Sequence, residues 1–192
     1  MFVFDLESLG VESNSVILSM ACIHFKPEYK QTPDQLRAEA FFCKFDVNDQ
    51  VHRLGRKIDK DTVDWWKKQC DNVKKASFIP NPKYDVPFEA GHAAMKEFVE
   101  HKNDPDCWVW ARGGLDDVML SSMERACGLE NIFSFNRWRD VRTAIDFLYH
   151  KKNGYCEVYY PGFDRNLHIT KHNPIDDCIL DVMQLLYGEE PL

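Results

Sequence analysis

Two apolar runs near the N-terminus constrain the fold most: Met1-Phe2-Val3-Phe4-Asp5-Leu6-Glu7, and Ser15 to Phe25 (SVILSMACIHF), with Gly10 between them. Both are rich in branched and aromatic residues, and a turn separates them, so they read as adjacent buried strands. Ala38 to Phe45 (AEAFFCKF) reads as a third strand, making the N-terminal segment an antiparallel meander. Further along, Asp61 is placed to cap a helix carrying Val63, Trp65 and Trp66. Pro87 opens a segment with apolar positions 88, 90, 94 and 98, which predicts a helix to about His101. Cys107 to Ala111 (CWVWA) is a compact strand, turned by Arg112-Gly113-Gly114 into a helix with Leu115, Val118, Met119, Ser122 and Ala126 on one face. Asp140 to Tyr149 is another helix. Asn173-Pro174 starts the last one, with Asn as cap, Pro at the first helical position and acids in the first turn. Asn81 to Pro87 is the most loop-like stretch. Strands first, then alternating strands and helices, give an α/β fold with a mixed sheet, in one domain over residues 1–192.

Charge and cysteine usage narrow the function classes. No apolar run approaches the ~20 residues that a membrane-spanning helix needs, and acids at Asp5 and Glu7 interrupt any signal-like start, so the expectation is a soluble, cytosolic protein without a membrane partner. Seven scattered Cys with no C-x-x-C pair indicate neither a disulfide framework nor a zinc site, and their expected place is as buried thiols. A net charge of -7 disfavours non-specific binding to phosphates. However, eight Lys/Arg against four Asp between Arg53 and Lys75 make that stretch locally basic, either a solvated helix face or a contact for a polyanion.

Three places can carry chemistry. Asp5 and Glu7, two apart on a strand, project from the same face. Buried together they repel and lose hydration, so a hard divalent cation such as Mg²⁺ would suit them, whereas a wet edge strand would leave them ordinary. Asp116 and Asp117 follow the Gly113-Gly114 turn where a strand end meets a helix start, a place at which acids can also serve only the helix dipole. The third is His172-Asn173-Pro174-Ile175-Asp176-Asp177. Five residues of helix turn about 140°, so His172 and Asp177 would not share a helical face. With His172 in the loop before the cap and Asp177 a turn inside, both can converge on one point, leaving Asp176 as a dipole or capping acid.

The order of these motifs resembles the DEDDh branch of the DnaQ-like 3'-5' exonucleases, and most closely the small phage exonucleases of the DexA type. The resemblance runs over nearly the whole chain. Phe4 to Gly10 looks like the first motif, Ile58 to Gln69 like a Trp-Trp segment, and Trp110 to Leu120 like the second motif. Arg137 to Thr143 (RWRDVRT) looks like the segment before the third, and His172 to Cys178 like the third itself. Leu115 departs from the Phe common before the second-motif Asp. The apolar residue that the family keeps four after that Asp corresponds to Leu120 and selects Asp116 over Asp117.

The resemblance implies a ribonuclease H-like mixed five-stranded sheet flanked by helices. It also implies a 3'-5' exonuclease acting on single-stranded nucleic acid with a free 3' end, DNA favoured, in the cytoplasm of a bacterial host if the chain is phage-encoded. Four carboxylates, Asp5, Glu7, Asp116 and Asp177, would hold two Mg²⁺ or Mn²⁺ ions, with His172 as general base. One of Trp65 and Trp66 would stack on a base while the other packs inward, since adjacent helical residues point about 100° apart. Leu9 would be an apolar wedge against the terminal base. Alternatives are an exoribonuclease or oligoribonuclease on the same fold, and an inactive nucleic-acid-binding module.

Overall fold

The computed structural model describes residues 1–104 and 107–188. Its sheet has five strands, β1 Phe2–Ser8, β2 Ile17–His24, β3 Phe41–Lys44, β4 Val109–Ala111 and β5 Trp138–Asp140, in the order β3-β2-β1-β4-β5. β1, β2 and β3 pair antiparallel, as the meander predicts, and β4 and β5 add in parallel beyond β1, so the sheet is mixed. The helices are α1 Pro33–Ala38, α2 Val47–His52, α3 Lys60–Lys67, α4 Asp71–Val73 continued by a π-turn to Phe78, α5 Phe88–His101, α6 Leu115–Ala126, α7 Val141–Leu148, α8 Arg165–His168 and α9 Pro174–Tyr187. Among the described residues no helix is long and apolar enough to cross a membrane.

The alternation of β1 divides the core. Phe2, Phe4 and Leu6 face α5 and α6, packing with Phe88, Met95, Met119, Leu120 and Met123. Val3 faces the other way, onto Cys178, Ile179, Val182 and Met183 of α9 and Leu36 of α1. With a side-chain period of two, Asp5 and Glu7 follow Val3 onto the α9 side. A register shift between Glu7 and Ser8 then ends the regular pairing with β2. The chain turns at Gly10, where a Cβ would come within 2.5 Å of Ser15 Oγ, an approach only glycine allows here.

Several elements differ from the sequence expectation. Thr32-Pro33 builds a capping box with Gln35 and starts α1, a helix the sequence reading did not include, which runs to Ala38 and leaves β3 shortened to Phe41–Lys44. Asp59, not Asp61, caps α3, its carboxylate accepting the Thr62 N–H at 2.7 Å. Pro87 is the residue before α5 and not its first. β4 is shorter than Cys107 to Ala111, and β5 lies inside the RWRDVRT segment, where Asp140 also caps α7. The buried face of α6 is Asp116, Met119, Leu120, Met123 and Glu124, while Leu115 and Val118 are exposed. That stripe keeps helical spacing, and choosing it over the expected one carries Asp116 inward with the core residues. All seven Cys are free thiols, but only Cys22 and Cys178 are fully buried and Cys70 is exposed.

Candidate active site

The C-terminal end of β1, the start of α6 and the start of α9 meet around a cleft of about 560 Å³ lined by Asp5, Glu7, Asp116, His172 and Asp177, among others. Each side chain arrives by a local device. Asp5 and Glu7 sit on the α9-facing side of β1. Asp116 is set by the turn before α6, where Gly113 has φ +86° and its N–H donates to Asp140 Oδ2 at 2.7 Å. Asp117 does not line this cleft and instead accepts a hydrogen bond from Ser121. Asn173 caps α9 through the Ile175 N–H, with Pro174 at the first position, as the sequence predicts. His172 holds a left-handed backbone, φ 64°, and its N–H donates to Asp177 Oδ2 at 2.8 Å. This bond locks the loop to the helix.

Glu7, His172 and Asp177 offer ligand atoms that all lie within 4.8 Å of one another, and His172 Nδ1 is 4.0 Å from Glu7 Oε1. Burial, reinforced by Asp116, Glu7, Asp177 and Asp181, pushes the Asp5 carboxyl well above its ordinary range. Burial does the same to Glu7, helped by Asp177 and Asp116, and to Asp116, helped by Asp181. Asp177 is raised to about 7, first by burial, and the His172 N–H only partly offsets this. Burial, then Lys171, lowers His172. Asp5 Oδ2 is buried with no hydrogen-bond partner. An orphaned carboxylate oxygen amid four mutually repelling carboxylates fits a hard divalent cation, which would supply the missing partner and cancel the repulsion.

Two tryptophans and one leucine separate cleanly. Trp66 is 1% exposed in a cluster with Leu9, Val16, Leu18 and Val73, its indole N–H donating to the Ser8 carbonyl at 2.9 Å. Trp65 is 39% exposed and meets the His172 ring edge-on at 4.8 Å between centroids. Leu9 is 4% exposed, because past the register shift in β1 its side chain points into this cluster. It presents no wedge to a bound base.

Two acids of α9 have roles that the motif reading did not assign. Asp181, one turn beyond Asp177, lines the cleft and is bound by the Arg112 guanidinium, whose Nε donates to it at 2.9 Å. The i, i+4 spacing from Asp177 and the Arg in Ala111-Arg112-Gly113 were the available signals. Asp176 is buried, ion-paired with Arg37 of α1, and accepts the Thr170 N–H at 2.9 Å. It therefore ties the loop before His172 to the body of the protein, and does more than complement the helix dipole.

The model of the 3'-5' exoribonuclease Rv2179c-like domain matches residues 1–187. The chain is also 28% identical over 209 residues to an exodeoxyribonuclease of Enterobacteria phage T4, a match covering 97% of this chain and 88% of that protein. Among solved structures it resembles the nuclease domain of 3'hExo, a DEDDh family member bound to rAMP, with TM-score 0.59, 12% identity, and coverage of 96% of this chain and 88% of that one. That likeness concerns the fold, and it bears out the mixed five-stranded, ribonuclease H-like sheet expected from the motifs. With a family match over almost its whole length, the chain belongs to the Rv2179c-like family of 3'-5' exoribonuclease domains.

Proposed function

We propose that residues 1–192 form one exonuclease domain that removes nucleotides from the 3' end of single-stranded nucleic acid, with Asp5, Glu7, Asp116 and Asp177 holding two divalent ions, Mg²⁺ or Mn²⁺. The observation that carries this reading is the convergence of those four carboxylates and His172 on one cleft, with a buried oxygen of Asp5 left unpartnered. Two such ions, when bound, stabilise the attacking and leaving oxygens of an in-line displacement at phosphorus. The carboxylates bind and orient. His172, half-buried and lowered below the ordinary imidazole value, is neutral near pH 7 and can take a proton from the attacking water. Trp65 stands beside it, where a terminal base can stack on its exposed face.

DNA is the preferred strand in this reading, supported by the near full-length similarity to the T4 exodeoxyribonuclease. The family description supports RNA as the second reading. Digestion of matched 5'-labelled single-stranded DNA and RNA with Mg²⁺ or Mn²⁺, read at nucleotide resolution, tests both. A ladder shortening stepwise from the 3' end, faster on DNA and blocked by a 3'-phosphate, is the expected result. Cleavage of a circular single strand would overturn the exonuclease reading, and a faster ladder on RNA would reverse the strand preference.

A further inference from the structure

The basic stretch from Arg53 to Lys75 is largely spent within the protein. Arg53 pairs with Asp49 and Glu89, Lys57 with Glu12, Lys67 with Asp64 and Lys74 with Asp71. Arg56 is buried, donating to the carbonyls of Ser13 and Ser15 and to Ser122. A different set of cations is free of such partners. Arg142, Lys151, Lys152, Arg165 and Lys171 make no ion pair among the described residues. Three of them, Arg142, Arg165 and Lys171, line the catalytic cleft. Lys151, Lys152 and Arg165 line a neighbouring hollow of about 470 Å³.

The two hollows share Tyr155 and Arg165, so the cationic surface is continuous from the cleft outward. Tyr155 is held at the junction by Arg112, whose guanidinium carbon lies 4.2 Å from the ring centroid, with that of Arg165 at 5.8 Å. At the cleft end Arg142 faces Asp116, Asp140 and Asp181, whereas Glu157 is the acid that lines the outer hollow, with Asp146 accepting the Gly154 N–H and Asp164 capping α8 through Asn166. In a chain of net charge -7, five cations without an ion pair leading away from an acidic cleft make a local positive surface that complements a polyanion.

We propose that this surface is a phosphate track for the part of the strand upstream of the cleaved nucleotide, running from Arg142 and Lys171 past Tyr155 and Arg165 to Lys151 and Lys152. It makes the protein selective for polynucleotides over dinucleotides, because only a longer strand reaches the two lysines. This rests on the cleft being where the 3' end is held. Its recognition is of backbone phosphates, with Tyr155 offering a ring face that tolerates any base.

The test is equilibrium binding of fluorescein-labelled single strands to the full chain in excess chelator, followed by anisotropy through a salt titration. For a strand of about twelve nucleotides, each lost phosphate contact removes about 0.7 from the slope of log affinity against log salt, so Lys151→Gln/Lys152→Gln should make it less steep by about 1.4. The preference for the longer strand over a dinucleotide should fall with it. The control Lys26→Gln/Lys30→Gln changes net charge equally at the other end of the sheet, beyond the Phe2–His24 pair of β1 and β2. An unchanged slope in the first variant, or an equal change in the control, overturns the track. If the slope changes as expected but no strand is hydrolysed when metal is added, the track stands and the nuclease reading fails.

Discussion

Asp5 has one buried carboxylate oxygen with no partner, while Asp117, next to the cleft acid Asp116, is turned toward Ser121. Asp5→Asn or Asp116→Asn should therefore abolish turnover without unfolding the protein, and Asp117→Asn should change it little. Steady-state kinetics with a melting curve for each variant checks this; full activity of the wild type in excess chelator would sink it. His172→Ala should keep strand binding and lose roughly 10²–10⁴-fold in turnover, the usual contribution of a general base. Near-normal turnover with an unchanged pH profile would make His172 a structural loop residue. Trp65 was expected to act by stacking alone, but its ring also packs edge-on against His172. Trp65→Ala should consequently raise KM and lower kcat together, whereas Trp66→Ala should act through stability, costing about 3–5 kcal/mol for a buried aromatic. At this scale Asp5, Glu7, His172 and Asp177 were legible because strand alternation and a capped helix start fix them locally. Asp181 was passed over because no motif marks it, although its i, i+4 spacing from Asp177 puts it on the same face of α9, while its pairing with distant Arg112 could be seen only in the folded chain.

Among the elements, α3 bears on the site from outside the cleft, through the contact of Trp65 with the His172 ring. Its cap is Asp59, whose side chain accepts from both the backbone and the hydroxyl of Thr62, while Asp61 is exposed in the first turn. Asp59→Ala should cost about 1 kcal/mol in urea unfolding and lower activity by loosening the Trp65 contact, and Asp61→Ala should stay within about 0.5 kcal/mol. Equal effects of the two would contradict the assignment of the cap. The long elements could be read from pattern: β1 and β2 from their apolar runs, α5 and α9 from period and caps. α1 and β5 could not. Six residues of helix in α1 show little periodicity, and three residues of strand in β5 acquire their conformation by pairing with β4.

For the molecule as a whole, folding without metal buries repelling carboxylates, and this links stability to pH. Asp177 rises from an ordinary 3.8 to about 7 in the folded protein. Between these values the folded chain keeps a proton that the unfolded chain has released, so this contribution is fully present below 3.8 and lost as pH rises through about 7. Metal-free Asp177→Asn should therefore melt higher than metal-free wild type at pH 8, with the gap closing toward pH 5. Saturating Mg²⁺ or Mn²⁺ should raise the wild-type melting temperature more at pH 8 than at pH 5, since binding requires ionised ligands. A metal effect independent of pH would argue against these carboxylates as ligands. The sequence by itself determined the α/β class, the strand meander, the capped last helix and the order of acids along the chain, because each depends on side-chain period or on chemistry within a few residues. Only the tertiary structure decided that Leu9 and Trp66 point inward while Trp65 faces out, and that Arg142, Arg165 and Lys171 gather at the cleft with Lys151 and Lys152 in the hollow beside it. Those outcomes depend on which face of each element packs against a partner far away in the chain, and local spacing does not encode that choice.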